Sequence, residues 1–122
     1  MSLILLVEDV EDNRALARFL LEADGHQVVE AKTGSESLVL AKAHPPALVL
    51  MDLSLPEMDG WEAARRLQAD PATAGVPIVA VTAHAMAGMR ERVLAAGFVG
   101  YVAKPIDVGR FAAEIRAFLP SA

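Results

Sequence analysis

Five short apolar runs alternate strictly with segments of helical periodicity, and this alternation constrains the fold more than any other feature of the chain. The segment after the first run, for example, carries Leu16, Phe19, Leu20 and Ala23 at the spacing of one helix face. Strict alternation of strands and helices predicts a parallel sheet with right-handed crossovers and helices on both faces. We therefore expect an α/β protein with a doubly wound, five-stranded sheet. The strand-forming runs cover residues 3–7, 27–31, 47–51, 76–81 and 99–103.

Residues that begin and end helices agree with this pattern. The segments 33–36 (TGSE) and 59–62 (DGWE) have the form of a capping box or its aspartate variant. Asp107 is placed to cap the last helix, and Pro120 to close it. Gly25 and Gly97 follow predicted helix ends, where the left-handed conformation favours glycine.

Composition narrows the class of protein. A chain of 122 residues with 54% hydrophobic and 22% charged residues is typical of one globular domain, here residues 1–122. The net charge of −5, without a basic stripe, argues against nucleic acid as a partner. Cysteine is absent, so disulfides and thiolate metal sites are excluded. The apolar N-terminus is too short for a signal peptide or a membrane span, and we expect a cytoplasmic protein without a membrane partner.

Polar side chains stand at the carboxyl ends of four predicted strands. Glu8 and Asp9 follow the first strand, Asp52 ends the third, Thr82 follows the fourth and Lys104 ends the fifth. Because parallel strands end at one edge of a sheet, where α/β folds place their ligands, we expect these side chains to converge. Each alone has a simpler explanation as a helix cap, a turn or a surface charge. Their joint placement is what indicates a site.

The residue types indicate phosphoryl chemistry. Three carboxylates in one cavity repel one another and need protons or a hard cation, and oxygen ligands without cysteine favour Mg²⁺. A divalent ion, the Lys104 ammonium and the Thr82 hydroxyl together meet the needs of a phosphoryl group for charge neutralisation and positioning. Asp52 is then the candidate nucleophile.

Four motifs in order, at residues 5–9 (LLVED), 49–60 (VLMDLSLPEMDG), 79–83 (VAVTA) and 101–105 (YVAKP), closely resemble those of the receiver domains of two-component response regulators. The resemblance extends over essentially the whole chain and is strongest to single-domain regulators of chemotaxis and the cell cycle. It implies a flavodoxin-like (βα)5 fold with strand order 2-1-3-4-5. It also implies a signalling domain that accepts a phosphoryl group and has self-phosphorylation and self-dephosphorylation chemistry, rather than an enzyme.

The resemblance implies a role for each acidic residue of the site. Asp52 corresponds to the phospho-accepting aspartate. Glu8, Asp9 and Asp52, with the backbone carbonyl of Ser54, correspond to the Mg²⁺ ligands. Glu8 stands where many relatives have aspartate, a common variant. Ser54 and His84 occupy positions that tune the lifetime of the phosphoryl group in the family, and the sequence does not predict that lifetime.

The remaining site residues correspond to the family's switch. Lys104 pairs with the phosphoryl oxygens, and the Lys104–Pro105 peptide bond is expected to be cis. Thr82 corresponds to the hydroxyl that moves toward the phosphoryl group, and Tyr101 to the aromatic side chain that swings inward with it. The movement changes the surface formed by the fourth helix, the fifth strand and the fifth helix.

Partners follow from the same resemblance. The donor is a phosphohistidine on a histidine kinase or a histidine phosphotransfer protein, and it is expected to dock on the first helix. We expect Leu16, Phe19 and Leu20 to be core residues there, which leaves Arg14 and Arg18 as docking candidates. With no output domain after the fifth helix, the output is expected to be contact with a downstream protein, from a monomer or a weak dimer.

Three other classes of α/β protein fit the sequence less well. A phosphatase of the haloacid dehalogenase kind needs an aspartate two residues after the nucleophile, where this chain has Ser54. A nucleotide-binding module needs a glycine-rich phosphate loop, which the sequence lacks. A flavodoxin-like cofactor carrier needs a Ser/Thr/Gly-rich loop at the position of Glu8 and Asp9. A receiver domain excised from a hybrid histidine kinase or a larger regulator stays open as an alternative.

Overall fold

The computed structural model describes residues 2–84 and 86–119. Strands and helices alternate along the chain, and no helix of the described residues is long and apolar enough to cross a bilayer. The strands are β1 (Leu3–Val7), β2 (Gln27–Ala31), β3 (Leu48–Asp52), β4 (Ile78–Thr82) and β5 (Gly100–Ala103). The helices are α1 (Glu11–Ala23), α2 (Gly34–Ala43), α3 (Gly60–Ala69), α4 (Met89–Ala95) and α5 (Phe111–Phe118).

The sheet has all five strands parallel, in the order β2-β1-β3-β4-β5. This confirms the predicted fold class and strand order. Every residue of β3 and β4 is buried, as a sheet covered on both faces requires. The fourth strand begins two residues later than predicted, because Val76 donates its backbone N–H to Thr73 and so belongs to the preceding turn.

Two apolar cores lie on opposite faces of the sheet. One packs α2, α3 and α4 against residues such as Leu5, Val49 and Met51. The other packs α1 and α5 against Ile4 and Leu50. Burial of this surface is the main stabilising term of the fold, and truncating a side chain such as Leu50 to alanine is expected to cost about 2–5 kcal/mol.

The predicted helix starts are right for two helices and wrong for the last. Thr33 Oγ1 accepts from Glu36 N at 3.0 Å, and Asp59 Oδ1 accepts from Glu62 N at 2.9 Å. Asp107 does not cap α5, because a turn intervenes and its carboxylate accepts from Gly109 N at 3.0 Å. Pro120 lies outside the described residues.

Both glycines predicted to follow helix ends take the left-handed conformation, which confirms that interpretation. The φ angles are 91° at Gly25 and 94° at Gly97. A residue with a side chain is strained at such a φ, so glycine is the residue that ends each helix at least cost.

The predicted core face of α1 is wrong for Leu16 and Phe19, whereas Leu20 packs partly buried against the core as predicted. Phe19 is 68% exposed and Leu16 is 37% exposed, whereas Arg14 is buried together with Ala17 and Leu21. Positions 14, 17 and 21 follow the helical period as well as the predicted set, so periodicity alone could not choose between two overlapping faces. The buried face is decided by Arg14, whose guanidinium pairs with the Glu8 carbonyl oxygen and the Glu30 carboxylate.

Candidate functional site

Four strands bring polar side chains to one edge of the sheet. Asp52 and Thr82 are the last residues of β3 and β4, and Glu8 and Lys104 directly follow β1 and β5. The backbone ties these ends together, since Lys104 N donates to Thr82 O at 2.8 Å. Side chains that are far apart in sequence therefore share one cavity at the carboxyl edge of the sheet.

Lys104 joins the two buried carboxylates of this cavity. Its Nζ lies 2.9 Å from Glu8 Oε1 and 3.0 Å from Asp52 Oδ2. The second oxygen of each carboxylate accepts a hydrogen bond from a backbone amide. Val10 N donates to Glu8 Oε2 at 3.1 Å, and Ser54 N donates to Asp52 Oδ1 at 3.0 Å. Glu8 and Asp52 retain only 4% and 2% of their exposure, so their orientations are set from both sides.

Burial and hydrogen bonding shift the pKa values of Glu8 and Lys104. Removal from water raises the pKa of Glu8, even though its hydrogen bonds to Lys104 and Val10 favour the charged form. Burial also opposes the charge on Lys104, but the hydrogen bonds that its ammonium donates to Glu8 and Asp52 outweigh burial and raise the pKa of Lys104. The cavity thus keeps its cation, and its three carboxyl groups outnumber that one ammonium.

The acidic side chains fit a divalent cation. Carboxylate oxygens of Glu8, Asp9 and Asp52 lie within 4.8 Å of one another, a separation that one ion can bridge. Asp9 is exposed, so the cluster is open to solvent on one side. A set of oxygen donors with one open side suits Mg²⁺, which keeps several waters when bound. The Ser54 carbonyl stays a predicted ligand.

Thr82 and Tyr101 lie where a movement at the site could reach α4. The buried Thr82 hydroxyl accepts from His84 N at 3.0 Å, which ties it to the loop that leads to α4. Tyr101 lies on β5, half-buried against the same core as α4. The Lys104–Pro105 peptide bond is cis.

Sequence reasoning missed two residues that shape the site. Gly60 begins α3 against the end of β3, where a Cβ would lie 2.2 Å from the Asp52 carbonyl oxygen. Only glycine permits that approach, and its place in an Asp-Gly pair was a usable indication. Arg14 Nη1 donates to Glu8 O at 2.9 Å. Arginine on a helix is ordinarily exposed, so Arg14 was predicted as a docking residue rather than as part of the site.

Comparison with known proteins identifies the family. The family model of the response regulator receiver domain matches residues 4–116. The polar-differentiation response regulator DivK of Brucella ovis is 42% identical over 119 residues, covering 98% of this chain and 97% of that protein. These matches include the motifs that carry the site, and the second spans nearly the full length of both chains.

Solved structures agree. The receiver domain of sensor histidine kinase PA1611 from Pseudomonas aeruginosa, which has a magnesium ion coordinated in its active-site cleft, is 33% identical. It superposes with a TM-score of 0.87 over 98% of each chain. Chemotaxis protein CheY4 of Vibrio cholerae, 23% identical, shares the fold with a TM-score of 0.90 over 98% of this chain and 99% of its own.

Membership of this family has general consequences. Receiver domains are phosphorylated signalling domains rather than conventional enzymes, they bind Mg²⁺ at an acidic pocket, and they interact with histidine kinases and downstream proteins. The acidic cluster at the carboxyl edge of this sheet is such a pocket in composition and position. The chain belongs to the response regulator receiver family of two-component signal transduction.

Proposed function

We propose that this chain accepts a phosphoryl group on Asp52 from a phosphohistidine of a histidine kinase or a histidine phosphotransfer protein. One observation carries the proposal. The buried Asp52 carboxylate lies 3.0 Å from Lys104 Nζ and shares a cavity with the carboxylates of Glu8 and Asp9. A nucleophile with a cation and a hard-metal site beside it is what phosphoryl transfer requires.

The side chains of the cavity have separate roles in the phosphoryl transfer. One oxygen of Asp52 attacks phosphorus, the P–N bond of the phosphohistidine breaks, and its electron pair returns to the imidazole ring, which takes up a proton. Lys104 already pairs with Asp52. Its ammonium is therefore placed to pair with the negative charge of the phosphoryl group once that group is on Asp52. Glu8, Asp9, Asp52 and the Ser54 carbonyl would hold Mg²⁺, which neutralises phosphoryl charge when bound.

The product explains why the reaction is self-limiting. An aspartyl phosphate is a mixed anhydride, so water attacks its phosphorus and regenerates the Asp52 carboxylate without another protein. The same cavity supports self-phosphorylation from small phosphodonors, since its groups act on the phosphoryl oxygens whatever the leaving group. Ser54 and His84 are both exposed beside the cavity, where they can influence the access of water.

The switch is proposed to run through Thr82. If its hydroxyl turns to the new phosphoryl oxygens, the 3.0 Å bond from His84 N is lost and the loop before α4 is released. Tyr101 would then fill the vacated space. The affected surface already carries exposed apolar side chains for a downstream protein, namely Met86, Leu94, Val99 and Val108. Thr82→Ala should bind beryllofluoride yet lose the NMR shifts of α4, and retained shifts would contradict this route.

The donor is proposed to dock over α1. Arg14 is buried, which corrects one of the two predicted docking residues, whereas Arg18 is partly exposed and stays a predicted contact. A cavity of about 210 Å³ opens between α1 and the loop after β5, lined partly by Leu16, Pro105 and Ile106, with Lys104 at one side. Phe19 and Val10 lie exposed on the same helix or just before it. Phe19→Ser should slow transfer from a phosphorylated histidine phosphotransfer domain while leaving acetyl phosphate labelling unchanged. An equal loss with both donors would contradict docking at Phe19.

Residues 1–122 are proposed to act as one receiver domain, either as a whole regulator or as part of a hybrid kinase or larger regulator. In solution it is proposed to be a monomer or a weak dimer through α4 and α5. Light scattering across a concentration series distinguishes these from a tight dimer. The cytoplasmic location stays a prediction from the sequence.

Intact-protein mass spectrometry tests the phosphoacceptor. The chain is incubated with acetyl phosphate and Mg²⁺, beside Asp52→Asn and the matched control Asp12→Asn, which removes an exposed carboxylate on α1. We expect a single phosphoryl adduct in the wild type and the control, and none in Asp52→Asn or without Mg²⁺. Labelling of Asp52→Asn at the wild-type rate would reject Asp52 as the acceptor.

A further inference from the structure

The arginine at position 14, on α1, is buried, whereas an arginine on a helix is usually a surface charge. The Arg14 side chain is 9% exposed, although an arginine is costly to bury unless every charge is paired. We infer that Arg14 is a positioning residue, which holds the backbone of the acidic loop between β1 and α1 so that Glu8 and Asp9 are presented for Mg²⁺. The inference rests on the proposed Mg²⁺-dependent function.

The guanidinium connects the loop to a neighbouring strand. Arg14 Nη1 donates to Glu8 O at 2.9 Å and reaches Asp9 O at 3.5 Å. Its Nε lies 3.3 Å from Glu30 Oε2, on β2. Two successive carbonyls of the acidic loop are thereby tied to a carboxylate on the neighbouring strand β2.

Fixing these carbonyls fixes the side chains between them. The peptide planes on both sides of Asp9 set the direction of its Cα–Cβ bond, and Asp9 itself is exposed. Glu8 has additional supports, since Lys104 pairs with its carboxylate and Glu8 N donates to Ala31 O at 3.0 Å. The backbone held by Arg14 is therefore the element that orients Asp9 toward Asp52.

Arginine suits this task better than other residues. Its planar fork offers several N–H donors in fixed directions, so one side chain can serve two carbonyls and a carboxylate together. Lysine presents a single nitrogen and cannot reach all three at once. Arg18 provides a natural comparison, because it also pairs with Glu30, at 2.7 Å, but with a 40% exposed side chain that turns to Glu22 instead of the loop.

The test compares Mg²⁺ affinity by calorimetry for the wild type, Arg14→Met, Arg14→Lys and the matched control Arg18→Met. Loss of an outer-shell support typically weakens metal binding 10–100-fold, so we expect about a tenfold loss for Arg14→Met and about threefold for Arg14→Lys. Arg18→Met should stay within about twofold, as expected for an exposed ion pair. Amide exchange of Val10 in the metal-free protein should accelerate in Arg14→Met alone.

The outcomes separate this inference from the proposed function. Wild-type Mg²⁺ affinity in a folded Arg14→Met protein, or equal losses in Arg14→Met and Arg18→Met, would overturn the positioning role. Should Arg14→Met fail to fold, Arg14→Lys decides, and an unchanged affinity in it would overturn the role as well. If the wild type itself does not bind Mg²⁺, the proposed function fails. The amide exchange rate of Val10 still reports whether Arg14 holds the backbone of the acidic loop.

Discussion

Two clusters of charged side chains in this molecule have nearly the same distances between their charged atoms, but the pKa of a carboxylate is shifted in opposite directions in the two. On α3, Arg65 Nε and Arg66 Nε donate to Glu62 at 3.0 Å and 2.7 Å. At the carboxyl edge of the sheet, Lys104 lies 2.9 Å from Glu8 and 3.0 Å from Asp52. The arginines lower the pKa of Glu62 to about 2, whereas burial raises the pKa of Glu8.

The comparison shows that solvent exposure, rather than the distance between the charged atoms, determines how a charge pair affects the pKa of its carboxylate. Water screens the α3 cluster, so its pairs contribute little and can be exchanged at small cost. The cluster at the sheet edge is removed from water and has surplus negative charge, so it gains from a further cation or from a group that takes up the charge of Lys104. An ion pair near 3 Å is therefore ordinary on α3, whereas at the sheet edge it belongs to the proposed phosphoryl site.

The largest expected effect comes from removing the Lys104 ammonium between the two buried carboxylates. Lys104→Met leaves two buried carboxylates without their shared donor, and we expect phosphotransfer to fall about 10²–10³-fold. The free energy of unfolding should fall by about 1–3 kcal/mol without metal. Transfer assays and urea unfolding measure the two effects. Arg66→Met is the exposed control, and an equal change in both variants would break the comparison.

A smaller effect is expected from the exposed member of the acidic cluster. Asp9→Asn removes one charge from the Mg²⁺ site, and affinity should fall by about tenfold or more, since ligand charge sets the affinity of such sites. Without metal the variant should be no less stable than the wild type, because a like charge has been removed. Calorimetric titration with Mg²⁺ measures the loss. Unchanged affinity would remove Asp9 from the ligand set.

The smallest effect belongs to α3. The folded pKa of Glu62, about 2, lies below the ordinary 4.5, so its stabilising contribution is present above pH 4.5 and disappears as the pH falls toward 2. The difference in Tm between the wild type and Glu62→Gln should be small at neutral pH and shrink on acidification. Scanning calorimetry at several pH values measures it. A difference that grows as the pH falls would contradict the assignment.

Much of the site could be predicted because it depends on short-range patterns. Apolar runs that stop at Glu8, Asp52 and Lys104 placed these residues at strand ends. Parallel pairing of the strands then brings those ends to one edge of the sheet. The caps at Thr33 and Asp59 were predicted for the same reason, since each bond spans only three residues. Asp107 shows the limit of such patterns, because an intervening turn moved the start of α5 beyond its reach.

The sequence by itself determined the order of strands and helices and the polar residues that end the strands, because both are written in local periodicity. The tertiary structure alone decided which face of α1 is buried. Arg14 could replace Leu16 and Phe19 in the interior only because Glu30, on another strand, and the carbonyl of Glu8 surround its guanidinium. A buried charge is stable only beside partners brought together by the fold, and periodicity carries no information about them.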